Sequence, residues 1–231
     1  MNTLTDRLMQ IRAQITKAEN QYGRSPGSVS LLAVSKTRPV EDIEAAYAAG
    51  QRDFGESYLQ EALPKIAVIT HPDIRWHFIG PLQSNKTRAL AEHFHWVHSV
   101  DRVKIARRLS EQRPTHLPPL NICLQVNISH DPAKAGVSPA ETLAVAEEIS
   151  RLPHLRLRGL MAIPSQSEGF EQQRQPFHAL QQLSNSLCAA GLELDTLSMG
   201  MSDDMQAAIA EGATMVRIGS AIFGARPAKT P

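Results

Sequence analysis

The stretch that decides the fold is LLAVSKTRP, residues 31–39. Four apolar residues lead toward Lys36, and Pro39 ends the pattern. A short apolar run that is closed by a proline predicts a buried strand followed by a loop. Because side chains alternate between the two faces of a strand, Lys36 should share a face with Leu32 and Val34.

Lys36 has two interpretations. Burial disfavours the charged form of an amine, so a lysine that ends a buried strand either extends to solvent or takes part in chemistry. An amine with a lowered pKa is suited to forming a Schiff base with an aldehyde. On this stretch alone, the plain interpretation is favoured, in which Lys36 only marks the end of a strand.

Outward from this stretch, strand patterns alternate with helical patterns along the chain. The further predicted strands are residues 53–56, 75–79, 96–100, 120–126, 155–163, 196–199 and 215–218. Such alternation predicts parallel pairing with helical crossovers. Eight units of this kind predict an α/β fold, a closed TIM (β/α)8 barrel. The alternative is an open doubly wound sheet, which normally carries a glycine-rich turn after the first strand, and residues 35–38 contain no glycine.

We expect a single domain over residues 1–231. Apolar residues recur at helical spacing near the start of the chain, and Thr3 and Asp6 resemble a capping box, which predicts an extra N-terminal helix within residues 1–23. The last residues, 227–231, are predicted to be a loose tail.

The composition is that of an ordinary globular protein, with 42% hydrophobic and 20% charged residues and a net charge of +1. No long run of one sign indicates a nucleic-acid partner. We expect no membrane span and no signal peptide, since no window approaches ~18 apolar residues. Two cysteines without metal-type spacing predict reduced, buried thiols and a cytoplasmic protein. No nearby cysteine or carboxylate completes a ligand set with His93, His95 and His98, so no metal site is predicted.

In such a barrel, ligands bind at the carboxyl ends of the strands, and a phosphate is usually held by the loops after strands seven and eight. Ser202 is predicted to open a helix that ends at Gly212, and free N–H groups at a helix start favour an anion. Gly219 and Ser220 add close backbone approach and a hydroxyl. The plain alternatives are an N-cap at Ser202 and a simple turn at Gly219.

Arg217 is predicted to point into the barrel, where a guanidinium must be paired or must meet a ligand acceptor. The first alternative is a salt bridge, perhaps to Glu56. The second is a ligand that also meets Lys36 and the predicted phosphate site. Pyridoxal 5′-phosphate carries an aldehyde, a ring nitrogen and a phosphate, and therefore matches all three.

Five segments carry a family resemblance: LLAVSKTRP (31–39), FGESYLQEA (54–62), WHFIGPLQSNK (76–86), LRLRGLMAIP (155–164) and LSMGMSDDMQAAIAEGATMVRIGSAIFG (197–224). Over nearly the whole chain they resemble the pyridoxal phosphate homeostasis protein family. The resemblance implies a single barrel similar to the N-terminal barrel of alanine racemase. It also implies that Lys36 holds the cofactor as an aldimine.

The resemblance further implies site roles. The serine and glycine positions that match Ser202, Gly219 and Ser220 hold the phosphate, and Arg217 faces the ring nitrogen. Ser57 stands where the family usually has an asparagine, which puts its contact in doubt. His77 has two interpretations: a cofactor-binding residue, or a hydrogen-bonded residue of the core. The candidate cofactor-binding residues are Lys36, Ser57, His77, Met201, Ser202, Arg217, Gly219 and Ser220.

Three functions are considered. The first is a non-catalytic protein of cofactor homeostasis, with pyridoxal phosphate and apo pyridoxal phosphate enzymes as partners, and expected to be a monomer. The second is an amino acid racemase, which needs an acid–base group on each face of the substrate carbon. Of the three tyrosines, only Tyr58 lies where it could supply the second group. The third is an aldolase that uses Lys36 without a cofactor.

Overall fold

The computed structural model describes residues 3–225. Its eight strands are all parallel and close into a barrel in chain order, with β1 paired to both β2 and β8. The predicted TIM barrel is therefore confirmed, and the open doubly wound sheet is excluded. The strands are β1 Ser30–Val34, β2 Asp53–Glu56, β3 Arg75–Phe78, β4 Trp96–Val100, β5 Leu120–Gln125, β6 Leu155–Met161, β7 Thr196–Ser198 and β8 Met215–Ile218.

Helices cover the outside of this barrel. They are α1 Leu4–Gln21, α2 Val40–Ala48, α3 Leu59–Val68, α4 Thr87–His93, α5 Val103–Gln112, α6 Thr142–Ser150, α7 Phe170–Ala189, α8 Met205–Ala210 and α9 Ser220–Phe223, with 3-10 turns at Ser84–Lys86 and Pro139–Glu141. The main core lies between strands and helices, where Val216 and Ile218 of β8 are fully buried. A second, smaller group of Trp96, Cys123 and Met161 is separate from that core. Alternation along each strand explains the two layers.

Helix α1 begins as the sequence predicts. The backbone N–H of Thr3 donates to Asp6 Oδ2 at 2.9 Å, and the N–H of Asp6 donates to Thr3 Oγ1 at 3.1 Å, which completes a capping box. Leu8, Ile11 and Ile15 are buried, and α1 packs against α2, α8 and α9. Residues 1 and 2 and the expected tail at 227–231 lie outside the described residues.

The predicted helix start at Ser202 is wrong. The Asp204 carboxylate accepts a hydrogen bond from the Met201 N–H at 2.5 Å, which folds residues 201–204 into a turn. Helix α8 begins only at Met205 and ends at Ala210. Ser202 therefore offers no helix N-terminus to an anion, and any role of Ser202 rests on its hydroxyl and backbone.

Cys123 is buried, as expected, but Cys188 on α7 is exposed, so the prediction of two buried thiols is wrong for Cys188. Within residues 3–225, no group of three or more His, Cys, Asp or Glu side chains lies close enough to hold a metal ion.

Across the same residues, none of the helices is both long enough and apolar enough to cross a membrane.

Candidate functional site

A cavity of about 230 Å³ opens at the carboxyl end of the barrel; we call it the lysine cavity. It brings together most of the candidate residues that the sequence predicts, since seven of the eight line it. The lining residues are Val34, Lys36, Arg38, Ser57, Ile79, Ile163, Met201, Ser202, Asp203, Arg217, Gly219, Ser220 and Gly224.

Lys36 lies in a turn just beyond β1, which ends at Val34. The next residue, Thr37, has a φ of 63°, a left-handed conformation that is uncommon for a β-branched residue. The Thr37 N–H donates to Glu61 Oε2 on α3 at 2.9 Å. This contact holds the turn on the side that follows Lys36, so α3 fixes the backbone from which the amine projects.

The residue before Lys36 is held as well. The Ser35 carbonyl accepts from Lys65 Nζ at 3.0 Å, and Ser35 Oγ donates to Glu56 Oε1 at 2.7 Å. Lys65 and Glu56 form a buried ion pair with a 2.8 Å contact. Burial raises the pKa of Glu56, while Lys65 and Ser35 act in the opposite direction. The Lys36 turn is therefore held on both sides by hydrogen bonds between its backbone and charged side chains, Glu61 on one side and Lys65 on the other.

Arg217 does not pair with Glu56, so the first alternative for it is wrong. Its Nη1 donates to the Ser198 carbonyl at 2.5 Å and to Ser198 Oγ at 2.9 Å, and its Nη2 donates to the Ala162 carbonyl at 2.9 Å. Burial lowers the pKa of Arg217 to about 10, opposed by the charge of Asp204, so the guanidinium is positive at neutral pH. Neutral oxygens orient this cation without neutralising it, which suits a guanidinium that meets an acceptor in the cavity.

On the side of β7 and β8, Ser202, Gly219 and Ser220 line the cavity. Gly219 leaves the backbone on this side of the cavity uncovered by a side chain, and its backbone conformation is not strained. A Cβ added there would lie 3.4 Å from Val34. Arg38 is a third basic side chain on the lining, and the sequence-based prediction missed it. Its Nη2 donates to the carbonyls of Gly224, at 2.5 Å, and Ala225, at 2.7 Å. The signal was available, since Arg38 follows Lys36 by two residues in the same loop.

His77 lies away from the lysine cavity. Its side chain is fully buried inside the barrel, where Nε2 is 3.0 Å from Asp53 Oδ1 and Nδ1 is 2.9 Å from His98 Nε2. The plain interpretation, a hydrogen-bonded core residue, describes this position. His98, which the sequence reasoning weighed only as a metal ligand, is equally buried and joins His77 here.

None of the three tyrosines, which all fall within residues 3–225, lines the lysine cavity. Tyr58 precedes α3 and is 49% exposed. Tyr47 on α2 donates its hydroxyl to Asp73 at 2.8 Å, and Tyr22 stacks on Phe170. A tyrosine acid–base group opposite Lys36, which the racemase hypothesis needs, is therefore not provided by these three.

A neighbouring cavity of about 370 Å³ shares Met201 and Asp203 with the lysine cavity. Glu168 and Asp204 add two carboxylates to its lining, and no lysine or arginine of the described residues faces it. An anionic ligand is disfavoured there, so the lysine cavity is the better site for a phosphate.

Residues 7–227 match the model of the alanine racemase N-terminal domain family. Pyridoxal phosphate homeostasis proteins of Pseudomonas aeruginosa PAO1 and Escherichia coli K12 are 56% and 51% identical to this chain. The alignments cover 100% and 98% of this chain and 99% and 98% of those proteins. The chain therefore belongs to the pyridoxal phosphate homeostasis protein family.

Solved structures of similar fold include PipY and an alanine racemase. PipY of Synechococcus elongatus PCC7942 has a TM-score of 0.87 at 41% identity in its form without PLP, and 0.85 at 40% identity in the form with PLP bound. Both comparisons cover 96% of this chain and 100% of PipY. An alanine racemase of Clostridium difficile 630 is 14% identical, with a TM-score of 0.74 over 95% of this chain and 57% of that protein, and shares the fold.

Proposed function

We propose that this protein binds pyridoxal 5′-phosphate in the lysine cavity and serves cofactor homeostasis, with Lys36 as the point of covalent attachment. The observation that carries this proposal is that Lys36 and Arg217 line one cavity together with Ser202, Gly219 and Ser220. Support comes from the curated relatives, which are named for pyridoxal phosphate homeostasis, and from PipY, whose structure has PLP bound.

The chemistry of the lining matches the three reactive parts of this cofactor. When bound, pyridoxal phosphate supplies an aldehyde that condenses with amines and a ring that withdraws electrons. Lys36 offers the primary amine, and Arg217 offers guanidinium donors to the ring nitrogen. Two serine hydroxyls, Ser202 and Ser220, and the nearby cation of Arg38 offer hydrogen bonds and charge to the phosphate.

Two features favour holding the cofactor over turning over a substrate. Arg217 keeps its proton, so a ring nitrogen held beside it would stay unprotonated and the ring would be a weaker electron sink. The tyrosine that a racemase would need on the second face is not supplied by Tyr22, Tyr47 or Tyr58. We infer that Lys36 tethers the cofactor and that a racemase-like activity is the lesser candidate.

The openness of the cavity suits release of the cofactor. Ile163 and Met201 both line the cavity and are 40% and 37% exposed, so part of its lining is in contact with solvent. We therefore propose that the cofactor is released to apo pyridoxal phosphate enzymes and free amino acids. We also propose that the protein acts as a monomer.

The test uses purified protein loaded with pyridoxal phosphate. Titration followed by visible absorption is expected to saturate at one cofactor per chain, and long incubation with single-enantiomer amino acids should leave their optical rotation unchanged. An authentic alanine racemase run in parallel shows that the assay detects turnover. Sustained loss of optical rotation would establish the racemase instead, and failure to saturate would overturn cofactor binding.

A further inference from the structure

A chain of hydrogen bonds crosses the barrel interior and ends at the lysine cavity. It joins Asp53 to His77 at 3.0 Å, His77 to His98 at 2.9 Å, His98 to Ser198 at 2.8 Å, and Ser198 to Arg217 at 2.9 Å. We call these five side chains the interior relay. They come from five strands, β2, β3, β4, β7 and β8, so only closure of the barrel brings them together.

The relay is closed to water along its length. His77, His98 and Ser198 have no exposed surface, while Arg217 and Asp53 are 4% and 8% exposed. Buried polar groups must find their hydrogen-bond partners within the protein, so each member depends on the next. Arg217, at one end, lines the lysine cavity, and Asp53, at the other, lines a separate cavity among the amino-terminal ends of the strands.

With both imidazole rings neutral, the two ends of the relay fix where every proton in it lies. Arg217 has only donors, and an ionised Asp53 has only acceptors. His77 must therefore donate from Nε2 to Asp53 and accept at Nδ1. His98 must donate from Nε2 to His77 and accept at Nδ1. The hydroxyl proton of Ser198 then points to His98, which leaves its lone pairs for Arg217.

We propose that Asp53, His77, His98 and Ser198 are positioning residues that hold Arg217 in register with the ligand in the lysine cavity, through hydrogen bonds that all run in one direction. This role rests on the proposed function only in so far as the cavity binds the cofactor. The proton order of the relay is a property of the protein alone.

The surroundings of Asp53 and the histidines support this order. Arg75 donates to both oxygens of Asp53, at 2.5 and 2.6 Å. Burial alone would raise the pKa of Asp53, but the bonds from Arg75 and His77 outweigh it and hold the pKa below its usual range. Burial lowers the pKa of His77, and lowers that of His98 well below its usual value, which favours two neutral rings.

The first measurement is made on the cofactor-free protein. Long-range ¹H–¹⁵N correlation spectra of the histidine rings report which nitrogen carries the proton. We expect both His77 and His98 as neutral rings protonated at Nε2 at neutral pH. A ring protonated at Nδ1, or a charged ring, at either position would overturn the proposed direction.

The second measurement is a double-mutant cycle on cofactor affinity. Ser198→Ala removes the hydroxyl that Arg217 and His98 share, and Asp53→Asn weakens the acceptor that orders the far end. Each should weaken binding by about three- to tenfold, roughly the effect of one hydrogen bond. Because they act through one relay, the double variant should be little worse than Ser198→Ala alone.

The matched control is Ser110→Ala, which, like Ser198→Ala, deletes the hydroxyl of a buried serine, but one that bonds to the Pro153 carbonyl outside the relay. Its effect should simply add to that of Asp53→Asn. If Ser198→Ala and Asp53→Asn are also additive, the relay is not one unit and the proposal fails. A wild-type protein that binds no cofactor would overturn the proposed function, whereas the ring spectra would still decide the proton order.

Discussion

The lysine cavity and the interior relay meet at Arg217 but differ in what their polar groups contact. In the cavity, Lys36, Ser57 and Ser220 face an opening that solvent reaches. In the relay, His77 and His98 are sealed among protein partners. The difference separates two tasks within one barrel: the cavity residues act on a ligand, and the relay residues act on one another. Variants in the first region should lose the ligand directly, whereas variants of buried polar groups should lose stability and, in the relay, weaken binding only through Arg217.

The largest effect is expected from Lys36→Ala. After incubation with pyridoxal phosphate and reduction with borohydride, this variant should show no increase in intact mass, because the amine that forms the covalent link is gone. Lys65→Arg is the matched control, since it changes the neighbouring lysine but keeps a positive charge beside Glu56. The control should show the full mass increase. An equal loss in both variants would contradict a specific role for Lys36.

A large stability effect is expected beside the cavity, at the buried pair of Lys65 and Glu56. Lys65→Met leaves the Glu56 carboxylate buried without its cation, which should lower the free energy of unfolding by about 3 kcal/mol. Removing both charges in Lys65→Met/Glu56→Leu should restore most of that loss. Urea unfolding measures both values. A double variant no more stable than the single one would show that the pair is not the source of the stability.

The relay should also make stability depend on pH. The pKa values of His77 and His98 are lower in the folded state than the ~6.5 of an unfolded histidine, so the unfolded state binds more protons below that pH. The free energy of unfolding should therefore be fully retained above pH ~6.5 and fall as the pH drops below it.

Urea titrations between neutral and mildly acidic pH measure this slope. His98→Gln removes one of the two buried rings and should flatten it. His116→Asn changes an exposed histidine and should leave it as in the wild type. An unchanged slope in His98→Gln would mean that the buried rings are already charged or do not titrate differently on folding.

The smallest effect is expected at Gly219. An added Cβ would lie 3.4 Å from Val34, and the φ of −117° suits any residue, so Gly219→Ala should change the free energy of unfolding by less than about 0.5 kcal/mol. The methyl group narrows the phosphate side of the cavity, so cofactor affinity should fall about three- to tenfold.

Gly224→Ala is the contrasting variant. Gly224 lines the same cavity but has a φ of 84°, so alanine there should cost about 1 kcal/mol of stability. Comparing fluorescence-detected unfolding with cofactor titration separates the two glycines. A Gly219→Ala protein that binds as tightly as the wild type would remove this position from the phosphate site.

Much of the barrel could be predicted from the sequence, because strand and helix patterns alternate along the whole chain. Residues such as proline and glycine mark the ends of many of these elements. Lys36 and Arg217 could be placed at one end since parallel strands align their carboxyl ends. The turn at residues 201–204 could not be predicted, because the pattern Ser202-Asp203-Asp204 is typical of a helix N-terminus. The Asp204 side chain instead bonds to the Met201 N–H.

The interior relay was beyond sequence reasoning for a different reason. Its members are separated by up to 164 residues, and no local pattern links Asp53 to Arg217. The sequence pattern groups His77 with the candidate site and His98 with a histidine cluster, although their side chains meet inside the barrel. Glu56 was matched to Arg217 by charge alone, whereas α3 brings Lys65 to it. Pairings of this kind are set by packing, which single-sequence patterns do not encode.

We propose Lys36 as the residue to which the cofactor is attached. The most direct test is borohydride reduction of the cofactor-loaded wild-type protein, followed by proteolysis and peptide mass mapping. We expect one modified residue, Lys36, at close to one label per chain. A label found chiefly on another lysine, such as Lys65, would contradict it.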